Sequence, residues 1–95
     1  MKDNFYLVVY DIADPLRLRR VARLMLHFGL RVQKSVFECN IMPVRLRELI
    51  DEAGELIDPE CDGIRIYPIP QRSAEKTTLL GFGPPVSLGD EALVV

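Results

Sequence analysis

Residues 30–41 read as extended chain, yet their apolar positions change parity part-way along. Leu30 and Val32 are the apolar members of the first part, and Phe37, Cys39 and Ile41 those of the second. Strand side chains alternate with period two, so a regular strand cannot switch its buried face. A tight turn or bulge near Gln33-Lys34-Ser35 resolves the conflict. The reading that follows is a β-hairpin, and it organises the rest of the chain around itself.

Upstream, Phe5-Tyr6-Leu7-Val8-Val9-Tyr10 is a continuous aromatic and β-branched run. It reads as a central strand covered on both faces, ended by Asp11. Asp14-Pro15 then starts a helix, with Asp14 as cap and proline at the first helical position. Leu18, Val21, Ala22 and Met25 form its apolar stripe, and Arg19, Arg20, Arg23 and His27 fall on the other side. Gly29 suits a left-handed stop after that helix.

Downstream, Pro43 opens a second helix with Leu46, Leu49, Ile50 and Ala53 on its apolar stripe. Asp58-Pro59 ends it. Gly63-Ile64-Arg65-Ile66-Tyr67 is a further strand, and Pro68 and Pro70 confine its end to an edge or exit. The order βαββαβ, with right-handed crossovers, is that of an α+β ferredoxin-like sandwich.

One piece is left over. Residues 76–80 look like an extra strand, Gly81-Phe82-Gly83-Pro84-Pro85 is a turn-rich break, and residues 92–95 form a last short strand. A C-terminal strand needs an edge to pair with, in its own sheet or a partner's. The expected organisation is a ferredoxin-like domain over 1–81 and a tail over 82–95 for dimer or partner contact. A 95-residue chain has room for one such domain, and domains this small gain from oligomerisation.

The net charge of −2 argues against a nonspecific DNA coat, but the distribution of charge matters more than its sum. Arg17, Arg19, Arg20, Arg23, Arg31 and Lys34 lie between residues 15 and 37 with no acid among them. Glu48, Asp51, Glu52, Glu55, Asp58, Glu60 and Asp62 follow with no base among them. Such a chain can present a basic face despite its near-neutral total. Nothing resembles a signal peptide, and no apolar run reaches the roughly 20 residues of a membrane span. Cys39 and Cys61 show neither metal spacing nor a disulfide framework, which is the expectation for reduced thiols in a cytoplasmic protein.

Asp11 is the sharpest candidate for chemistry, because it stands where a buried strand meets a loop. A carboxylate there could bind Mg²⁺, which is commonly held by one or two carboxylates with waters and substrate phosphates. In a twofold dimer, two copies of Asp11 could face one site. Asp11-Ile12-Ala13-Asp14 is equally a good turn sequence. The arginines suit bidentate phosphate contacts or an ordinary solvated helix face. Tyr10, Ser35 and Phe37 form a weaker set: Phe37 could stack on a base or fill the core, and Ser35 suits a turn. Glycine-rich phosphate loops, zinc spacings and nucleophile elbows are absent from the sequence. Any chemistry must therefore rest on carboxylate, metal and water.

Three segments resemble the small CRISPR-associated endoribonuclease family called Cas-two. They are Leu7-Val8-Val9-Tyr10-Asp11-Ile12, the run from Gly29-Leu30-Arg31 through Val36-Phe37-Glu38-Cys39, and Ile57-Asp58-Pro59 with Ile64-Arg65-Ile66-Tyr67-Pro68. The resemblance spans roughly residues 5–81 in order. It implies a ferredoxin-like homodimer whose C-terminal strands complete the neighbouring protomer's sheet. It further implies a Mg²⁺-dependent nuclease acting on RNA or duplex DNA, with Asp11 as metal ligand and catalytic residue. Arg17, Arg19 and Arg31 match its substrate-contacting arginines, and Phe37 its aromatic. The implied biological role is to bind duplex DNA and bridge the Cas-one integrase during spacer acquisition, with or without cleavage. Two other readings stand beside it: a noncatalytic regulatory ferredoxin-like module, and a toxin-like ribonuclease.

Overall fold

The computed structural model describes residues 4–86. Its elements are β1 (Phe5–Asp11), α1 (Pro15–Met25), β2 (Leu30–Gln33), β3 (Val36–Asn40), α2 (Pro43–Leu56), β4 (Gly63–Ile69) and the single turn α3 (Gln71–Ala74). The sheet runs β2-β3-β1-β4, and every neighbouring pair is antiparallel. This is the expected βαββαβ sandwich. β4 lies at an edge, so Pro68 takes no N–H out of a central ladder.

Residues 30–41 form the hairpin, and both devices that reconcile their parity are present. The chain turns at Lys34-Ser35, and the register slips by one residue between Arg31 and Gln33, so that Val32 is the bulge. Phe37 and Cys39 consequently face the helices with no exposed surface.

α1 starts as its sequence dictates. The Asp14 carboxylate accepts the Arg17 amide at 2.9 Å and Pro15 occupies the first turn. Val21, Ala22 and Met25 are buried against Val8, Tyr10 and Phe37, with Leu49 and Ala53 of α2 closing the core. Ile50 departs from the expected stripe and is exposed. The buried line of α2 runs through Leu49 and Ala53, with Leu46 and Leu56 half-buried, which turns Ile50 to the flank.

β1 is covered unevenly on its two faces, and on the second face only Phe5 is buried. Val8 and Tyr10 are buried under the helices, whereas Leu7 and Val9 on the opposite side are only half-buried. Right-handed crossovers put both long helices on the same side of the sheet. The other side carries Val9 between Val36 and Arg65, and Leu7 between Glu38 and Tyr67.

Gly29 does not adopt the left-handed conformation expected of it; among the described residues only Gly81 has positive φ. Close approach explains the glycine instead. A Cβ there would stand 2.5 Å from the Glu38 carbonyl oxygen and 2.6 Å from the Cys39 Sγ.

Residues 76–80 form no strand. They follow α3 as irregular chain, unpaired with either sheet edge, and both Leu80 and, beyond the segment, Phe82 are exposed. The strand expected at 92–95 lies outside the described residues. Among the described residues, no helix is long and apolar enough to cross a membrane.

Candidate nucleic-acid interface

A groove of about 370 Å³ runs between α1 and the hairpin turn. Leu18, Ala22 and Leu26 form its apolar lining, and Arg19, Arg23, Arg31, Lys34 and Ser35 complete it. Helical spacing puts Arg19 and Arg23 one turn apart on α1. The turn brings Arg31 and Lys34 to the opposite wall. Among the described residues no carboxylate lines the groove, so Arg19, Arg23, Arg31 and Lys34 share one concave surface with no acid among its described lining.

The wall on the hairpin side is held rigidly. The Lys34 carbonyl oxygen accepts the Arg31 Nε at 3.1 Å and Nη2 at 2.9 Å, and the Tyr10 hydroxyl at 3.4 Å. The Arg31 guanidinium also lies over the Phe37 ring, 5.6 Å from its centroid. Tyr10 stacks on Phe37 from within the core, centroids 6.2 Å apart. Burial pushes the Tyr10 phenol up, against the opposing pull of Arg31. It therefore remains a neutral hydrogen-bond donor at neutral pH.

The remaining sequence candidates divide. Phe37 is fully buried and offers no face to a base. The Ser35 carbonyl accepts the Tyr10 amide at 3.1 Å, in keeping with a turn residue. Arg20 is exposed on α1 but does not line the groove.

Arg17 points elsewhere, into an ion pair with Asp62: Nε to Oδ2 at 2.7 Å and Nη2 to Oδ1 at 3.3 Å. Asp62 was unremarkable in sequence, one acid among seven in the run from Glu48. In the fold its side chain has no exposed surface. It also accepts the backbone amides of Ala13 at 2.8 Å and Asp58 at 2.9 Å. The Arg17 guanidinium, then the Asp58 and Ala13 amides, hold its carboxyl well below the usual carboxylate range despite burial. No local pattern in the sequence marks that residue, because its partners lie up to 49 positions away.

Asp11 is exposed at the end of β1, opposite Gly63 of β4. The Tyr10–Ser35 backbone bond places the hairpin turn at this same end of the sheet. Among the described residues, no three His, Cys, Asp or Glu side chains gather as a metal site. Asp11 therefore belongs to no three-ligand cluster within the described residues. That fits Mg²⁺ only in its common mode, where water and substrate phosphate supply the remaining ligands.

Two buried groups lie apart from the groove. Burial raises the Glu38 carboxyl, whose Oε1 has no hydrogen-bond partner among the described residues. Burial and then Glu38 push the Cys39 thiol up to about 11, so it stays protonated and inert at neutral pH.

Comparison with known proteins bears on this site. Residues 4–77 match the model of the family described as "CRISPR associated protein Cas2". A relative from Thermodesulfovibrio yellowstonii, named CRISPR-associated endoribonuclease Cas2 2, is 43% identical over 86 residues. The match covers 90% of this chain and 92% of that protein. The crystal structure of the hypothetical protein TT1823 from Thermus thermophilus superposes with a TM-score of 0.77 at 40% identity, covering 87% of this chain and 96% of that one. A chain of a partial Cas6-RT-Cas1–Cas2 complex matches with a TM-score of 0.73 at 26% identity, covering 96% and 98%.

Proposed function

This chain belongs to the CRISPR associated protein Cas2 family, and from that premise we propose that it serves CRISPR adaptation as a homodimer that grips duplex DNA and joins a Cas1 integrase. The observation that carries this reading is the groove whose charged lining, among the described residues, is Arg19, Arg23, Arg31 and Lys34 with no acid. Four cations facing one cleft suit a polyphosphate backbone, and contacts of this kind fix position without reading sequence. The likeness to a chain in a Cas1–Cas2 assembly supports the Cas1 partner. The half-buried Leu7 and Val9 on the sheet face opposite Val8 and Tyr10 support a second copy. Family membership speaks against the noncatalytic regulatory module and the toxin-like ribonuclease.

The test is duplex binding by the chain purified with Cas1, titrated with salt. Binding is expected to weaken steeply, with a log–log slope of about −0.9 per phosphate contact. Arg19→Glu with Arg23→Glu is expected to abolish binding without changing thermal stability. Undiminished binding by that double variant refutes the groove as the contact.

A second reading is Mg²⁺-dependent cleavage of RNA or DNA at Asp11. The exposure of Asp11 at the end of β1 favours it, as does the endoribonuclease name of a close relative. Asp11 is the carboxylate that would hold the ion, with a second copy supplying its own. When bound, such an ion lowers the pKa of a water and stabilises charge on the phosphate. The chain's own contribution is Asp11 as ligand and the groove cations as anchors for the strand. Asp11→Ala, assayed with and without Mg²⁺ on RNA and duplex DNA, is expected to lose cleavage and keep binding. Full cleavage by that variant removes Asp11 from the mechanism.

A further inference from the structure

We infer that Asp62 is a positioning residue for Asp11, clamping the β1–α1 loop through the Ala13 amide, and that Arg17 acts as its partner and not as a phosphate contact. The inference deepens the reading of Asp11 as a working carboxylate and rests on it.

Asp62 immediately precedes Gly63, and Gly63 is the β4 residue paired with Asp11. Its carboxylate gathers donors from three parts of the chain, with Arg17 Nη2 and the Cys61 thiol also donating to Oδ1. Oδ1 takes the Ala13 amide from the loop after β1, while Oδ2 takes the Asp58 amide from the α2–β4 loop and the Arg17 Nε from α1. Asp11 is therefore held on one side by sheet register and, two residues later, by a charge-assisted hydrogen bond. The residue directly after Ala13, Asp14, is fixed as the α1 cap. A lone carboxylate has no neighbouring ligand to correct its placement, so loop rigidity decides whether it meets its target.

Asp62 has no exposed side-chain surface and cannot itself touch a substrate. Arg17 is already paired through Nε and Nη2, with its side chain 27% exposed. Pulling it away to a phosphate would leave a buried carboxylate without its cation, which is strongly unfavourable. Among the described residues, Arg19, Arg23, Arg31 and Lys34 form no ion pair with a buried acid.

The experiment uses the full chain with Asp62→Asn and Arg17→Gln, each checked by thermal melting. Three readouts are followed: amide exchange at Ala13, Mn²⁺-induced broadening of amide signals beside Asp11, and the salt slope of duplex binding. Both variants are expected to speed Ala13 exchange about tenfold or more. They are expected to weaken Mn²⁺ broadening by a similar factor and leave the salt slope unchanged. Arg17→Lys is expected to restore part of both losses, because it keeps charge and loses the fork. Unaltered Ala13 exchange in Asp62→Asn overturns the proposal. So does an Arg17→Gln chain whose salt slope falls by about one. Should Asp62→Asn fail to melt cooperatively, Asp62→Glu carries the same measurements. If Mn²⁺ leaves the signals beside Asp11 sharp even in the unaltered chain, the metal reading of Asp11 fails by itself, and Ala13 exchange still decides the clamp.

Discussion

Arg31 donates two hydrogen bonds to the carbonyl of Lys34, three residues on, and so closes the hairpin turn with its own side chain. The same guanidinium lines the basic groove beside the Lys34 side chain. Turn geometry and the charge of the interface thus depend on one residue. Lysine in its place keeps the charge and loses the planar fork.

Arg31→Ala is expected to weaken duplex binding by about 1–3 kcal/mol and reduce the salt slope by about one. It is also expected to lower the denaturation midpoint, since the turn loses its brace. Arg31→Lys is expected to recover most of the salt slope and little of the stability. Binding isotherms at several salt concentrations, paired with urea melts, separate the two effects.

Phe37 is expected to behave as a core residue. Phe37→Ala should cost about 3–5 kcal/mol of folding stability, as other buried aromatic truncations do. Phe37→Leu, which retains much of the apolar volume, should bind duplex DNA as the unaltered chain does. A folded Phe37→Leu chain that has lost nucleic-acid binding would contradict the burial of the ring.

Asp62 should make the fold acid-sensitive. Its folded-state pKa is depressed, chiefly by Arg17, so the native state holds fewer protons there than the unfolded chain. The stabilisation is fully present above the unfolded aspartate value of about 4 and is lost as pH falls below it toward the folded value. Urea midpoints measured between about pH 7 and 3 should therefore drop with acid, and Asp62→Asn should flatten that dependence. An unchanged pH profile in the variant would exclude the Arg17–Asp62 pair as the source.

Gly29→Ala should destabilise the fold by about 1–3 kcal/mol, because the added methyl meets backbone. The Glu38 carbonyl oxygen would lie 2.5 Å from the new Cβ and the Cys39 Sγ 2.6 Å away. Chemical denaturation measures the loss. A helix-end role alone would make the cost depend on backbone angle, but Gly29 has no positive φ.

The order of elements was legible in the chain because it depends on local signals. Asp14-Pro15 caps and opens α1, and Pro43 opens α2, in the fold as in the sequence. The parity change over 30–41 demanded a reversal, and the hairpin supplies it together with a bulge at Val32. Residues 76–80 resembled a strand by composition, but a strand exists only where an edge accepts it, and composition does not show whether one does.

The candidate site was legible only in its ingredients. Six cations lay in an acid-free stretch, and each has the same local appearance. Long-range pairing sorted them: Arg17 meets an aspartate 45 positions away, while Arg19, Arg23, Arg31 and Lys34 converge on one groove. Periodicity along a chain fixes which residues turn inward, since that follows from backbone geometry within a few residues. Which buried acid claims which arginine, and which carboxylate is left facing solvent, follows from packing between distant segments. Only the tertiary structure decides that, because the desolvation that forces a buried charge to find a partner does not exist until the core has closed.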